Sequence, residues 1–379
     1  MNLALSDEQE FLREAARGAL SRFKTLEAAR EALDGDQSAL PDLWPMAREA
    51  GWPGLLIDED HGGAGLDAFD AMLVLGECGR VLAGIPLLGH LPATAILGEA
   101  PNAASLLEAL ATGERRACYL PVAPPSDVDP RWTVDSAAGG RRADAPTLAS
   151  DGADARVSGE LAWVPDASGA ELLVGVALRD GRPVGVAVET AAQGVSVHEA
   201  RRYDATRSLA HVALKDAPAT VLDAPEASLA SAWHLAQALI AAESIGSVET
   251  ALEVSVAYAK ERHTFGRAIG SYQAVKHSLT EVLRQLENGR SLLYYAGWAR
   301  GGAPGEFPLA ASAARSVAGR ALDQAARTMI SVHGGIGATW EHDAPLYFRR
   351  AQLSRRLLGG TGAATDRVAG ELIAQADAA

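Results

Sequence analysis

The sequence predicts an α+β protein in three consecutive parts: an N-terminal all-helical domain (residues 1–113), a middle β-barrel-like domain (114–224) and a C-terminal four-helix bundle (225–379). Three observations predict it. Helical periodicity dominates the first part, short β-type runs replace it after "RRACYLPVA", and long periodic helical segments return near Ser228. At 379 residues, 48% hydrophobic and 22% charged, the chain is long enough for two or three domains around a large core.

The first helix follows from "SDEQEFLREAARGAL". Ser6 stands three residues before Gln9, a capping-box pattern, and Phe11, Leu12, Ala15, Ala16 and Leu20 recur at helical spacing. Further helices are expected in "LPDLWPMAREAG", "DAFDAMLVLGECGRVLA", "LLGHLPATAILGEA" and "AASLLEALATG", separated by Gly, Pro and Asp turns. The β runs are "ARVSGELAWV", "AELLVGVAL", "RPVGVAVE" and "SLAHVALK", with a hairpin at "LRDGRPV". From Pro124 to Gly152 an Asp-, Pro-, Ala- and Gly-rich stretch without periodicity predicts a long mobile loop. Four long helices then follow, around "LASAWHLAQALIAAESIGSVETALEVSVAYAKERHTFG", "YQAVKHSLTEVLRQLENGRSLLYYAGWAR", "LAASAARSVAGRALDQAARTMISVHGG" and "TDRVAGELIAQAD".

Composition narrows the function. A formal net charge of -14 gives no support for the basic face that attraction to a phosphate backbone needs, which argues against nucleic acid as a partner, while local basic clusters still matter for a small anionic ligand. Cys78 and Cys118 have no CxxC or Cys/His spacing, so buried thiols are expected rather than a disulfide framework or a metal site. The N-terminus lacks a signal-peptide apolar region and no run reaches membrane-spanning length, so the expected location is cytoplasmic, away from membranes.

Two stretches carry chemistry. In "YAKERHTFGRAIGSYQAVKH", Arg262 and Phe265 would share a face if the helix persisted to Gly266, and a guanidinium beside an aromatic ring suits a phosphate-bearing aromatic ligand. Arg at a helix C-terminus also simply favours the macrodipole. In "SVHGGIGATWEHDAPLYFRRAQ", Gly334, Gly335 and Gly337 let backbone approach a ligand closely, or form a plain turn. Without βαβ alternation around it, the Gly-rich stretch is not a Rossmann fingerprint.

Together with the helical, β, helical order, these stretches resemble the acyl-CoA dehydrogenase family. "ERHTFGRAIGSYQAVKH" is similar to its R-x-x-F-G motif with a downstream Gln, "HGGIGATWEHDAPLYFRRA" to its C-terminal Gly-rich motif, and "GWPGLLIDEDHGGAG" to its N-terminal pattern. The resemblance implies an FAD enzyme that removes an α-proton and a β-hydride from an acyl-CoA thioester and passes electrons to an electron-transfer flavoprotein. It also implies dimers or tetramers in which one subunit's Arg, Phe and Gly-rich segment hold the ADP half of a flavin whose ring lies on the neighbour. Arg262, Phe265, Gln273, Gly334 and Gly335 fall on those ADP-side positions. Trp163 falls on a ring-side position, Thr361 on a further cofactor-binding position, and Ser126 on a substrate-binding one.

The departures concern the base. A thioester α-proton is only weakly acidic, so a carboxylate must take it, and burial raises that carboxylate's basicity. Most of the family places the acid before a Gly-Thr near the C-terminus; here Gly360-Thr361 follows Leu358 and Gly359. A minority uses the long helix before the Arg motif, a position that falls at about Ala236. Glu243, seven residues on, shares that face roughly and is the remaining candidate base. Glu243 could serve as base if it faces inward, or else pair with an Arg or Lys across the bundle or simply stand exposed at a helix edge, and its offset of about 10 Å favours these structural roles over the base. The flavin-facing loop retains only Ser126 and Asp127, the W-x-T/S pattern reads Trp163-Val164-Pro165, and the Gln before the Gly-rich motif is replaced by Ser331. The ring-side half is therefore eroded more than the ADP-side half.

Three functions remain open at this level. The chain is an acyl-CoA dehydrogenase acting through Glu243 or as part of a heteromer, a non-catalytic partner completing a related chain's FAD site, or a flavin oxidase or monooxygenase on the same scaffold. Glu341, His342 and Asp343 point in different directions and do not suggest a ligand set; Glu341 is expected to cap or to pair with Arg349 or Arg350, and His333 to pack against the turn.

Overall fold

The computed structural model describes residues 4–33, 40–126, 129–139, 142–149 and 154–377. Its first part is helical: α1 (Asp7–Leu20), α2 (Thr25–Ala32), α3 (Trp44–Glu49), α4 (Ala68–Arg80), α5 (Leu87–Gly98) and α6 (Ala104–Ala111). The Ser6–Gln9 capping box is present, Ser6 Oγ accepting from the Gln9 N–H and Gln9 Oε1 from the Ser6 N–H, each at 3.2 Å. Ala16 and Leu20 are buried along one stripe, whereas Phe11, on nearly the opposite side of the helix, is 73% exposed.

The middle part contains β1 (Ala117–Tyr119), β2 (Thr133–Val134), β3 (Ala143–Asp144), β4 (Thr147–Ala149), β5 (Arg156–Pro165), β6 (Leu172–Arg179), β7 (Arg182–Glu189), β8 (Val195–Glu199), β9 (Leu209–Pro218) and β10 (Thr220–Leu222). Eight of them form one sheet in the order β10-β7-β6-β4-β5-β9-β8, with β1 parallel beside β6. The predicted hairpin joins β6 to β7 through Asp180 and Gly181, both at positive φ as a primed two-residue turn requires. The stretch expected to be one long loop instead holds β2, β3 and β4, strands of two or three residues, too short for periodicity to reveal.

The last part contains α7 (Glu226–Glu261), β11 (His263–Thr264), β12 (Arg267–Ala268), α8 (Gln273–Gly302), α9 (Phe307–His333), α10 (Ala344–Ser354) and α11 (Gly360–Asp377). α7 is the spine: every residue from Ala232 to Val248 is buried, so it is enclosed on all sides over that span, its polar residues included. Its small residues serve contact with α4, because a Cβ on Gly246 would overlap the Gly76 carbonyl oxygen and one on Gly79 would overlap that of Glu243. Ser247 Oγ locks the crossing by donating to the Gly79 carbonyl at 2.8 Å. Cys78 and Cys118 are buried free thiols.

Candidate active site

The site is organised around the turn Leu357–Thr361, which links α10 to α11. Leu358, Gly359 and Gly360 all have positive φ, at 54°, 77° and 77°. Left-handed backbone is unfavourable for a branched residue, so other groups must hold the turn. Gln237 Nε2 on α7 donates to the Leu358 carbonyl at 2.7 Å, Asp135 Oδ2 accepts from the Gly359 N–H at 3.3 Å, and the Thr361 N–H reaches the Arg355 carbonyl at 3.0 Å. Arg315 of α9, fully buried, donates to the carbonyls of Ser354 and Leu357.

A cavity lies on each side of Gly359. One of about 600 Å³ is lined by Ser126, Trp233, Gln237 and Ser312; the other, of about 710 Å³, by Trp163, Tyr203 and Thr361. Gly359 and Arg142 border both. A Cβ on Gly359 would come within 3.2 Å of Arg142 Nη1 and 3.5 Å of Trp233 Cζ2. Arg142 is fixed by an ion pair with Asp135, by Thr133 Oγ1 at 2.7 Å, and by the Trp233 ring, 5.5 Å from its guanidinium. An arginine and an indole therefore flank the position where a carboxylate was expected.

Glu243 is committed elsewhere. It is 4% exposed, and its Oε1 accepts from Arg350 Nη1 at 2.7 Å while its Oε2 accepts from Arg207. Arg350 also holds Asp204 at 2.7 Å, whose own carboxyl accepts from Thr206. Burial alone would raise the Asp204 pKa, but Arg350 and Thr206 outweigh it and hold that carboxyl below its usual value. Glu243 lines neither cavity, so its geometry is that of an ion-paired core residue. The pairing alternative for Glu243 thus describes its surroundings among the described residues, and the carboxylate borders neither of the two cavities at the turn.

On the other candidates the structure is equally specific. Trp163 sits at a β-bulge, where the β5–β9 register shifts between Leu161 and Val164, at φ 57°. The bulge turns its ring into the larger cavity, edge-on to His211 with centroids 4.6 Å apart. Pro165, buried two residues on, has neither hydroxyl nor N–H to offer a ring. Ser126 donates its N–H to the Asp129 carbonyl at 2.8 Å and borders the smaller cavity; Asp127 lies outside the described residues.

At the bundle end, Arg262 and Phe265 do not share a helix face. α7 stops at Glu261, Arg262 is extended, and β11 and β12 form a small hairpin whose tip is Phe265-Gly266, at φ 49° and 77°. Two consecutive left-handed residues favour a primed turn over another helical turn. Phe265 is 95% exposed, while Arg262 and Gln273 are exposed beside the same hairpin. A shallow groove joins Thr264 of the hairpin, Val275 of α8 and Ser331 of α9, just before Gly334 and Gly335. Both glycines are exposed, and no atom lies within 4 Å of where their Cβ atoms would stand. An exposed ring, cationic and amide side chains without partners among the described residues, and bare glycine backbone fit the ADP half of a dinucleotide. His333 is buried against this turn, its Nδ1 2.7 Å from the Met329 carbonyl oxygen. Glu341 pairs with neither Arg349 nor Arg350: Arg349 donates to the Tyr203 carbonyl, and Arg350 is held by Asp204 and Glu243.

Sequence reasoning missed Arg142, Asp135, Gln237 and Arg315. The first two lie where periodicity is lacking. Gln237 and Arg315 carried a usable signal, each being a polar residue inside an apolar helical run.

Comparison with known proteins agrees with this architecture. The family models for the acyl-CoA dehydrogenase N-terminal and C-terminal domains match residues 6–121 and 199–373. The chain is 34% identical over 371 residues to acyl-CoA dehydrogenase FadE34 of Mycobacterium tuberculosis (strain ATCC 25618 / H37Rv), an alignment covering 96% of this chain and 47% of FadE34. The chain thus spans about half the length of that relative. It is 32% identical to acyl-CoA dehydrogenase IpdE2 of the same strain, over 93% of each chain. Among solved structures, the steroid ACAD Tcur3481-Tcur3483 G363A variant superposes with a TM-score of 0.86 at 28% identity, over 98% of this chain and 99% of that one. The ChsE4-ChsE5 complex from Mycobacterium tuberculosis shares the fold at a TM-score of 0.84 and 22% identity, over 98% and 99%. The chain belongs to the acyl-CoA dehydrogenase family.

Proposed function

We propose that this chain is one component of an FAD-dependent acyl-CoA dehydrogenase whose α-proton base comes from a related partner chain. The observation that carries the reading is Gly359 itself: left-handed backbone flanked by Arg142 and Trp233, with the nearby Asp135 carboxylate already paired to Arg142. Two of the structural relatives are named as pairs of components, and FadE34 is about twice as long as the stretch this chain matches.

FAD is the cofactor of the family, and when bound it supplies the hydride acceptor. In this reading Arg262 and Gln273 bind the diphosphate-bearing half, Phe265 packs on it, and Gly334 and Gly335 let backbone N–H groups approach its phosphates. Trp163 and Thr361 border the cavity facing the ring position, where Pro165 supplies no donor. Ser126 borders the smaller cavity, assigned to the acyl-CoA thioester. An electron-transfer flavoprotein then accepts the electrons, as in the family at large.

The test is the visible spectrum of the purified chain with and without FAD, followed by co-purification with a related chain that carries a carboxylate at the position of Gly359. The expected result is little flavin alone, with a flavin band and acyl-CoA turnover appearing in the pair. A flavin band near one FAD per isolated chain, together with acyl-CoA turnover, would overturn the reading.

A further inference from the structure

The wall of the smaller cavity holds two buried polar groups that the protein leaves unpaired. Gln237 of α7 and Ser312 of α9 both line that space of about 600 Å³ and are 3% and 2% exposed. The Gln237 amide is oriented by the turn: Nε2 donates to the Leu358 carbonyl at 2.7 Å, and turning the amide over would set oxygen against oxygen. Oε1 is therefore the free end, buried with no hydrogen-bond partner among the described residues. A helical serine can bond the carbonyl four residues back, as Ser244, Ser247 and Ser255 do on α7. Ser312 does not, and its hydroxyl makes no hydrogen bond among the described residues.

A buried acceptor without a partner is costly, and interiors seldom keep one without a use. The missing partner has to be neutral and able to donate. A carboxylate on the ligand would face the Gln237 oxygen, itself an acceptor, while Arg142 is already held by Asp135 and Thr133. An ammonium could donate to Oε1 but could accept nothing from Ser312. A hydroxyl does both from one oxygen. Around the two polar groups, Trp233, Leu358 and Ala364 are buried and line the same space, so the group that carries the hydroxyl meets hydrocarbon and indole surface.

We propose that the acyl group taken by this cavity carries a hydroxyl on its hydrocarbon part, bound by Gln237 Oε1 and Ser312 Oγ, which makes these two residues determinants of substrate specificity. The inference rests on the assignment of this cavity to the acyl-CoA thioester and names the class of acyl group. A site that hydrogen-bonds a substrate hydroxyl rejects the plain analogue, because its own polar groups are then left unpaired.

The test titrates the assembled complex calorimetrically with acyl-CoA thioesters of one chain length that bear a hydroxyl, a keto group or neither, the substituent being walked from carbon to carbon. One hydroxy isomer is expected to bind about 10- to 100-fold more tightly than the plain chain, and its keto counterpart, which cannot donate to Oε1, should gain little. Ser312→Ala and Gln237→Met should each lower the hydroxy-to-plain ratio about fivefold or more. Gln237→Met also frees the Leu358 carbonyl, so its thermal unfolding is followed; Ser312→Ala breaks no bond and carries the test if the other variant does not fold. Equal binding of hydroxy and plain chains at every position, as when water alone satisfies the two groups, would overturn the proposal. So would a keto isomer as tight as the best hydroxy one, a ratio unchanged in Ser312→Ala, or no binding of any thioester. Turnover measured on the same samples tests the partner-supplied base separately. A hydroxy preference in binding without turnover would sink that reading and keep this one, and turnover without the preference would do the reverse.

Discussion

Glu243→Gln separates a structural carboxylate from a catalytic one. The substitution keeps the shape and one acceptor oxygen but removes the charge facing Arg207 and Arg350, both buried. Glu243 is 4% exposed, so water cannot replace what it supplied. Removing one partner from a buried ion pair costs about 3–5 kcal/mol, because the surviving charge is left uncompensated. Here the two arginines share that burden, with Asp204 still holding Arg350, so the low end, about 3 kcal/mol, is expected. With a large chain's urea dependence of about 3 kcal/mol per molar, the unfolding midpoint should fall by about 1 M. The assay is urea unfolding followed by tryptophan fluorescence, paired with acyl-CoA turnover of the assembled complex. An unchanged midpoint with turnover reduced a hundredfold or more would refute this account and return Glu243 to the role of base.

Four further outcomes are expected. Asp166 is buried and its pKa is pushed up to about 6 by burial, which Arg207 and the Gly89 N–H only partly offset. A raised folded-state pKa means the acid is best tolerated below about pH 4 and destabilises progressively as pH rises through about 6; Asp166→Asn should therefore stabilise at pH 7 by up to about 3 kcal/mol and by almost nothing at pH 4, read by unfolding at both pH values. Gly359→Glu should cost about 1–3 kcal/mol, because φ is 77° there, and should not restore turnover to the isolated chain, since its side chain meets Arg142. Phe265→Ala should leave unfolding of the isolated chain within about 0.5 kcal/mol, the ring being 95% exposed, while flavin content of the assembled complex falls. Gly246→Ala should lower stability by about 1–3 kcal/mol, because the new methyl overlaps the Gly76 carbonyl oxygen.

The fold was legible wherever one physical signal acts over many residues. α9, 27 residues long, repeats its apolar stripe over many turns, α7 runs 36 residues, too long for a strand, and the β6–β7 hairpin is marked by Asp180-Gly181 between two β-rich runs. Legibility failed where an element is shorter than its period. β2 and β3 have two residues each, and the turn from Arg262 to Ala268 is fixed by the left-handed angles of Phe265 and Gly266, which a helical reading of Arg262 and Phe265 did not anticipate. The site divides the same way. Gly359 could be read directly as a missing acid, but the surroundings of that position depend on Arg142 and Trp233, far apart in the chain, meeting in the fold. Glu243 could be seen as an acid in an apolar helix, yet its partners Arg207 and Arg350 lie on other elements and only tertiary structure brings them together.

The charges around the turn also explain why a missing carboxylate is not simply a vacancy to be refilled. Where a buried acid acts as a base, the surroundings must leave it unpaired and desolvated, so its proton affinity rises. Around Gly359 the surroundings do the opposite: Arg142 borders both cavities, Arg315 lies beneath the turn, and Asp135 is held by the first of them. A carboxylate introduced among those cations would be stabilised in its ionised form, which lowers its basicity and makes it a poorer acceptor for an α-proton. Gly359→Glu combined with Arg142→Leu is therefore the informative variant. If the cations suppress the base, the double substitution should gain acyl-CoA turnover over Gly359→Glu alone when assembled with a partner that has lost its own carboxylate. Equal turnover would show that the backbone angle at residue 359, rather than the charge, is what keeps this turn from carrying an acid.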